Sequence, residues 1–199
     1  MSNPLTVQQA ADSRRSIRKY TDEAIPRETL NEILRIAGTA PSPWNVQPWR
    51  VVVVESKDVK QDLMAAAYGQ PQVGAAAAVL VVYSDMEDAV SNAIEFVHPG
   101  YGERREAEAE NMVKTFRNMP DMHQWGHSIA YIYVGYLVLA AKSLGYDSSA
   151  MLGFDPAKVK EMFGLPATAT IPALIALGKG AEEGFPHHRH NVDRIAQFK

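Results

Sequence analysis

The sequence predicts an α+β fold in which several helices cover a small sheet. Three short apolar runs predict strands, and longer segments with helical spacing of apolar residues predict helices between them. The order is helix, strand, helix, strand, several helices and strand, which favours a layered α+β sandwich. No regular alternation of strands and helices occurs, and no G-x-G-x-x-G motif follows a predicted strand, which argues against a doubly wound parallel fold.

Local patterns place the elements of the first half of the chain. Residues 6–11 predict a short helix that leads into a basic run. PRETLNEILRIAGTA predicts a second helix, because Pro26 suits a first helical position and Gly38 is placed to end it. RVVVVES then predicts a strand buried on both faces. VKQDLMAAAYG predicts a further helix, and AAAAVLVVYS predicts a second buried strand.

The second half begins with a polar, charged stretch in which GERREAEAENMVKTFRNM predicts a solvated helix. SIAYIYVGYLVLAAKSLGY predicts a long apolar helix. Gly135 interrupts its apolar run and Lys142 ends it, so the run is shorter than the roughly 20 residues of a membrane span. We therefore expect burial in a core or between subunits. DPAKVKEMFGL predicts a helix with Asp155 as its N-cap, and IPALIALGKG predicts a third strand.

Composition limits the classes of function. The chain has 199 residues, which predicts one domain over residues 1–199, and its net charge of -3 gives no reason to expect nucleic acid or a membrane as partner. It contains no cysteine, which excludes disulfides, thiolate nucleophiles and iron–sulfur clusters. The N-terminal sequence MSNPLTVQQAADSRRSIRKY is too polar for a secretion signal, so we expect a cytoplasmic protein.

Basic side chains concentrate near both ends of the chain. The first group, in SRRSIRKY, comprises Arg14, Arg15, Ser16 and Arg18. The second group comprises His187, His188, Arg189 and His190. Arginine suits bidentate binding of phosphate, so the two groups together suggest one polyanionic ligand held from both ends of the chain. A solvated basic face is the alternative interpretation of each group.

A proline-rich segment, TAPSPWNVQPWRVVVV, precedes the first predicted strand. Proline fixes φ and removes an N–H, so this loop is expected to be stiff. It contains Asn45 and Gln47, whose amides both donate and accept hydrogen bonds. A stiff loop with such amides is suited to binding the edge of a planar heterocycle.

The histidines suggest a metal site as an alternative. HQWGH places His123 and His127 one helical turn apart. The zinc-protease motif needs glutamate directly after the first histidine, and Gln124 stands there instead. Surface histidines are therefore the preferred interpretation, and no metal is expected.

Four segments in order resemble the nitroreductase family of FMN-dependent oxidoreductases. They are RRSIRKY, APSPWNVQPWRVVVV, AAKSLGYDSSAMLGFDPAKVKEMFGLP and the closing LGKG…HHRHNVDRI. The resemblance covers nearly the whole chain, with residues 85–126 as the unmatched part. It implies a three-layer sandwich with a small, mixed but mainly antiparallel sheet. It also implies a homodimer in which the C-terminal tail wraps the partner subunit.

The resemblance implies a role for each matching residue. Arg14 and Ser16 would hold the FMN phosphate and ribityl chain, and Arg18 would reach the pyrimidine side of the ring. Asn45 would meet the ring edge from the second subunit. The implied cofactor-binding residues are Arg14, Arg15, Ser16, Arg18, Pro43, Trp44, Asn45, Gln47, Met151, Leu152, Gly153, His187 and Arg189.

Two of these segments differ from common patterns of the family. The third segment, which would pass beside the flavin N5 atom, has Leu152 where one branch of the family has glutamate. Leu152 therefore puts in doubt a side-chain role at this position and the choice between NADH and NADPH. Flavin binding is unaffected, because a backbone N–H can bond the flavin without any particular side chain. In the fourth segment Arg189 matches a phosphate-binding arginine, and His187 stands where lysine is commoner.

The implied activity is hydride transfer from NADH or NADPH through FMN to a flat electrophile such as a nitroaromatic or quinone. Ping-pong kinetics are expected, and no catalytic side chain is required because the flavin carries the chemistry. One alternative is a non-catalytic flavin-binding protein of the same fold. Another is a dehalogenating or ring-cleaving member of the superfamily, for which this short chain leaves little room.

Overall fold

The computed structural model describes residues 3–199 and is organised around one four-stranded sheet. The strands are β1 (Trp49–Val54), β2 (Ala78–Ser84), β3 (Asp147–Met151) and β4 (Thr170–Gly178), in the order β1-β2-β4-β3. All three pairs of neighbouring strands are antiparallel. A parallel bridge between Ser16 and Ser148 adds the one parallel contact recorded for this sheet in the described residues.

Helices cover the sheet and fill the connections. The α-helices are α1 (Val7–Ser13), α2 (Arg27–Ala37), α3 (Lys57–Ala66), α4 (Pro71–Ala75), α5 (Met86–Ser91), α6 (Arg105–Arg117), α7 (Met122–Ser143), α8 (Pro156–Phe163) and α9 (Val192–Ile195). Short 3-10 turns occupy Pro43–Asn45, Ala93–Glu95 and Pro99–Arg104.

The sheet has a packed core on each face, as the alternation of side chains along a strand requires. Leu80 of β2 and Ile175 of β4 pack with α2 and α7 on one face. Val81 and Leu174 pack with α3 and α8 on the other. The predicted three-layer α+β sandwich is therefore confirmed.

Residues between β2 and α7 form a third apolar cluster. It joins α5, α6 and Val46 of the proline-rich segment around Phe116, which is fully buried. The charged segment predicted as a solvated helix is α6, but the prediction missed its inner side, where Ala109 and Met112 are buried. Through Val46, this cluster packs against the proline-rich loop.

Two strand predictions need correction. β3 was not predicted, because DSSAM is polar at its start and its pairing with β4 comes from tertiary contacts. β1 packs on both faces as predicted, with Val51 and Val53 on one core and Val52 on the other, but it is an edge strand and its residues 50 to 53 are only half-buried.

Two predicted helix ends are confirmed. The Asp155 carboxylate accepts hydrogen bonds from the backbone N–H groups of Ala157 and Lys158, as an N-cap does. Gly38 is the C-cap of α2, and its N–H donates to the Leu34 carbonyl oxygen.

Helix α7 is the long apolar helix of the sequence, and it packs directly on the sheet. At Gly126 a Cβ atom would lie 2.7 Å from the Ser84 hydroxyl oxygen and would also meet the Met86 side chain. Three large residues of α7, Tyr131, Ile132 and Tyr136, are partly exposed, although the Tyr131 hydroxyl donates to the Pro172 carbonyl oxygen of β4. Among the described residues, no helix combines the length and apolar character needed to cross a bilayer.

The C-terminal tail makes little contact with its own chain. From residue 185 to 199 every side chain except that of Ala196 is exposed, including Phe185, Ile195 and Phe198. The short helix α9 is its one regular element. Wrapping of this tail around a partner subunit stays a prediction.

Candidate functional site

The basic N-terminal segment runs in extended conformation beside β3. Ser16 bridges to Ser148, and the Ile17 N–H donates to the Ser148 carbonyl oxygen at 3.1 Å. Ile17 is buried. Since successive side chains of an extended chain alternate in direction, burial of Ile17 directs Ser16 and Arg18 the other way, where both line a cleft.

The residues that precede the C-terminal tail pack against the same segment. Tyr20 forms an antiparallel bridge with Gly180. Gly184 has a φ of +70°, and a Cβ atom there would lie 2.9 Å from Cδ1 of Ile17. Glycine permits both the left-handed backbone and this close approach. The two ends of the described chain are therefore held together here.

Basic side chains from both ends converge at this junction, as their placement in the sequence suggested. His187 Nε2 lies 2.8 Å from Nη1 of Arg15 and 2.7 Å from the Arg14 carbonyl oxygen. One ring nitrogen cannot accept from Arg15 and donate to Arg14 at once, so the tautomer selects between these contacts. Burial, followed by the positive charges of Arg189 and Arg15, lowers the pKa of Arg14.

These side chains carry positive charge without a counter-charge. Within residues 3–199, none of Arg14, Arg15 and Arg189 forms an ion pair with a carboxylate. Nη1 of Arg15 donates to two carbonyl oxygens, those of Asp12 at 2.7 Å and Arg14 at 3.0 Å, whereas Nη1 of Arg189 donates to one, that of His188 at 2.8 Å. Arg14 and Arg189 are therefore the guanidiniums best placed to bind an anion such as phosphate.

The cleft beside this cluster has a volume of about 760 Å³. This lies within the ~300–1,000 Å³ of typical small-molecule sites. Ser16, Arg18 and Tyr20 line one side, and Gln72 and Phe185 contribute to the rest. Burial and the charge of Asp147 raise the pKa of Tyr20, whose hydroxyl donates to the Ile17 carbonyl oxygen at 2.6 Å.

Glu182, which sequence reasoning missed, also lines the cleft. Its Oε1 accepts from the backbone N–H of Arg18 at 2.8 Å and that of Lys19 at 3.3 Å. These two bonds fix the basic segment to the tail. The carboxylate also places a negative charge at the cleft, where the sequence had suggested only positive ones.

The third predicted segment differs from the expected loop. Met151 is the last residue of β3 and its side chain is buried, so only its backbone is suited to contact a ligand. Leu152 follows with 68% of its surface exposed. The Gly153 carbonyl oxygen accepts a hydrogen bond from Gln70 Nε2 at 2.6 Å.

Gln70 and Gln72 were missed by sequence reasoning and connect this segment to the cleft. Gln72 is buried, and its Nε2 lies 3.2 Å from the sulfur of Met151. The signal was present in the sequence, since GQPQ combines two amides with a proline, as NVQPW does.

The proline-rich loop holds Pro43, Trp44, Asn45 and Gln47 away from the cleft. Asn45 Nδ2 donates to the Phe96 carbonyl oxygen at 3.0 Å, so half of the Asn45 amide is engaged within the chain. Trp44 is 51% exposed, and its ring meets Phe116 edge-on at 5.5 Å. None of the four residues lines the cleft.

The sheet topology explains this separation. The loop leads into β1, whereas Ser16 lies beside β3, and these strands are the two edges of the sheet. Three strand spacings separate the edges by about 14 Å. The chain therefore brings the first and fourth predicted segments together, and it leaves the second segment apart from them.

The two histidines considered as metal ligands have other surroundings. His123 Nε2 lies 3.5 Å from Oε1 of Glu87. His127 packs edge-on against Tyr131, and its Nδ1 is buried without a hydrogen-bond partner in the part of the chain described. Residues 3–199 contain no group of three histidine or carboxylate side chains that could hold a metal ion.

His127 provides a prediction on pH. Burial lowers its pKa from the ordinary value of 6.5, so the unfolded state binds this proton more readily than the folded state. Stability is therefore expected to fall as the pH drops below 6.5 towards the lowered pKa. Replacing His127 with glutamine should reduce the fall in melting temperature between pH 7 and pH 5, with His123→Gln as the control. Equal pH dependence of wild type and His127→Gln would contradict this.

With this geometry in place, comparison with known proteins identifies the family. The model of the nitroreductase family matches residues 11–179. The chain belongs to the nitroreductase family. The match includes the N-terminal basic segment, the proline-rich loop and the end of β3, so three of the four segments seen in the sequence lie inside it.

Individual nitroreductase relatives match over almost the whole chain. A Thermus thermophilus protein named NADH dehydrogenase is 46% identical over 198 residues, which cover 98% of this chain and 97% of the relative. YdgI of Bacillus subtilis, whose name describes an NAD(P)H nitroreductase, is 35% identical over 94% of each chain. An Exiguobacterium sibiricum nitroreductase structure in complex with FMN is 28% identical, with a TM-score of 0.86 over 100% of this chain and 99% of the other.

Proposed function

We propose that this protein is an FMN-dependent oxidoreductase that takes hydride from NADH or NADPH and reduces a flat electrophile such as a nitroaromatic or a quinone. The observation that carries the proposal is the pair Arg14 and Arg189, which repel each other, have no carboxylate partner within residues 3–199 and lie near a cleft of suitable size. Membership of the nitroreductase family, the FMN complex of one relative and the nicotinamide-based names of two others support it.

The residues in and near the cleft fit FMN by their chemistry. Ser16 and Arg18 line the cleft, whereas Arg14, Arg189, Leu152 and Gly153 lie outside its lining. Bound FMN would supply hydride transfer between a nicotinamide and an acceptor, which occupy the same face in turn and give ping-pong kinetics. Arg14 and Arg189 would bind its phosphate, and Ser16 its ribityl chain. Arg18 would place positive charge at the pyrimidine edge, which stabilises negative charge there. The backbone of Leu152 and Gly153, fixed by Gln70, would face the reactive side of the ring.

We further propose that the active form is a homodimer. Asn45 and the cleft lie at opposite edges of one sheet, so the loop would meet a flavin held by the partner subunit. Tyr131, Ile132 and Tyr136 on α7 and the exposed tail offer apolar surface for such a contact. A cytoplasmic location stays a prediction.

The visible spectrum of the purified protein tests the cofactor and the reaction separately. We expect a yellow protein with flavin absorbance that bleaches when NADH or NADPH is added anaerobically and returns when a quinone or nitroaromatic is supplied. A yellow protein that neither nicotinamide bleaches would favour the non-catalytic flavin-binding alternative. A protein that stays colourless after incubation with excess FMN would overturn the proposal.

A further inference from the structure

The proline-rich loop has an unusual backbone. Three residues other than glycine have positive φ within four positions: Trp44 at 52°, Asn45 at 60° and Gln47 at 43°. Asparagine tolerates this region, whereas tryptophan and glutamine do so at a cost of order 1–3 kcal/mol each. A loop with this much strain keeps its conformation only where surrounding groups hold it.

The strained peptide groups are held by side chains. Gln47 Nε2 donates to the Asn45 carbonyl oxygen at 3.0 Å. Arg50 Nη1 donates to the Gln47 carbonyl oxygen at 3.0 Å and to that of Trp49 at 2.8 Å. Arg50 therefore fixes the peptide group that follows the last strained residue.

Arg50 is in turn oriented by helix α5. Its Nε and Nη2 both donate to Oδ2 of Asp88, the former at 3.1 Å. The other carboxylate oxygen, Oδ1, accepts from Asn92 Nδ2 at 2.9 Å. The Asp85 N–H donates to the Pro48 carbonyl oxygen at 2.8 Å, which attaches the end of the loop to the same helix. The guanidinium is thus bonded on one side to α5 and on the other to the loop.

We propose that Arg50 and Asp88 are positioning residues that hold the proline-rich loop in its strained conformation before any ligand binds. This inference rests on the proposed function in one respect, which is that the loop serves to bring Asn45 into contact with the flavin edge. A preformed loop loses little conformational entropy on binding, so the pair would raise cofactor affinity without touching the cofactor.

The proposed role requires the planar guanidinium of Arg50 and not its positive charge alone. Exposed ion pairs by themselves contribute little to stability. A lysine at position 50 would keep the charge but could not bond the carboxylate and two carbonyl oxygens in one plane. The neighbouring pair of Arg117 and Glu87 has similar exposure and does not contact the loop, so it provides a matched control.

The first test uses hydrogen–deuterium exchange of the full-length apoprotein. The N–H groups of Asn45, Val46 and Gln47 are hydrogen-bonded inside the loop, so their exchange reports its opening. Arg50→Lys and Asp88→Asn should each speed this exchange about tenfold, which is the effect of losing one charge-assisted hydrogen bond. Arg117→Lys and Glu87→Gln should change it by less than about twofold.

The outcomes separate the possibilities. Selective loop opening in the two Arg50–Asp88 variants supports the inference. Exchange equal to that of wild type, or raised equally by the control variants, overturns it. If a variant is too unstable to purify, Asn92→Ala removes the amide that donates to Oδ1 and to the carbonyl oxygen of Asp88 and should give a smaller increase at the same three amides. No increase with Asn92→Ala would overturn the inference as well.

A second readout connects the loop to the cofactor. The FMN dissociation constant of Arg50→Lys should rise about fivefold or more above that of Arg117→Lys, while the apoprotein melting temperatures of both stay alike. A role in general stability would move the melting temperature instead. A wild-type protein that binds no FMN would defeat the proposed function, and the exchange experiment on the apoprotein would still decide whether the residues hold the loop.

Discussion

Replacing Arg14 with alanine is expected to raise the FMN dissociation constant by about 10- to 100-fold and to leave the melting temperature of the apoprotein close to that of wild type. Loss of a hydrogen bond to a charged group costs about 1.5–3 kcal/mol, which corresponds to that change in affinity. In the apoprotein Arg14 is repelled by Arg15 and Arg189, so its removal relieves repulsion.

Quenching of FMN fluorescence on titration with apoprotein measures this effect. Arg35→Ala is the matched control, because Arg35 is exposed on α2 and pairs with Glu32 outside the cluster. Arg14→Lys should be intermediate, since lysine keeps the charge but loses the planar fork. The affinity of wild type should also depend more strongly on salt than that of Arg14→Ala. Equal dissociation constants for Arg14→Ala and Arg35→Ala would remove Arg14 from the site.

Mixed dimers give the second large effect. A dimer of one Arg14→Ala chain and one Asn45→Gly chain is expected to retain about one FMN, while each parent homodimer retains little. In the proposed two-fold dimer each site takes Arg14 from one subunit and Asn45 from the other. The mixed dimer therefore has both substitutions in one site, and its other site is intact. The sheet supports this arrangement, because the two residues belong to opposite edges of it.

The choice of glycine at position 45 follows from the backbone. Asn45 has a φ of 60°, which glycine adopts freely, whereas leucine would be strained there. Leucine would also lose the bond to Phe96, so Asn45→Leu is expected to lower apoprotein stability, in addition to its effect on the flavin. Chains with two different tags allow the mixed dimer to be isolated and its flavin content measured. A mixed dimer as empty as its parents, or a flavin-loaded monomer at all dilutions, would contradict the shared site.

Most of the architecture could be predicted from the spacing of apolar residues and from the residues that begin or end helices. Helices α2, α3 and α8 and strands β1, β2 and β4 coincide with strong apolar patterns, and Asp155 and Gly38 mark ends correctly. β3 could not be predicted, because Ser148 and Ser149 have weak strand preference and gain their conformation from pairing with β4. The first and last residues of β3 depend on its pairing with β4, which no local sequence pattern reveals.

The candidate site also has a part that could be predicted from the sequence and a part that could not. Arginines, prolines and amides are visible by type, so the basic segments and the stiff loop were identifiable. The roles of Gln70, Glu182 and Arg50 depend on where the chain folds back, and the sequence gives no distance between them and the cleft. Burial of Met151 belongs to the same class, since it follows from the strand that was not predicted.

The absence of a side chain at Gly126 determines how near the longest helix can come to the sheet. One added methyl group would press on the Ser84 and Met86 side chains, so either these side chains or the helix would have to move. The same helix exposes Tyr136 and Ile132, where the proposed second subunit would dock. The hydrogen atom at this position therefore permits the close approach of the helix to the end of β2, and a bulkier residue would alter the position from which the helix presents its exposed side chains.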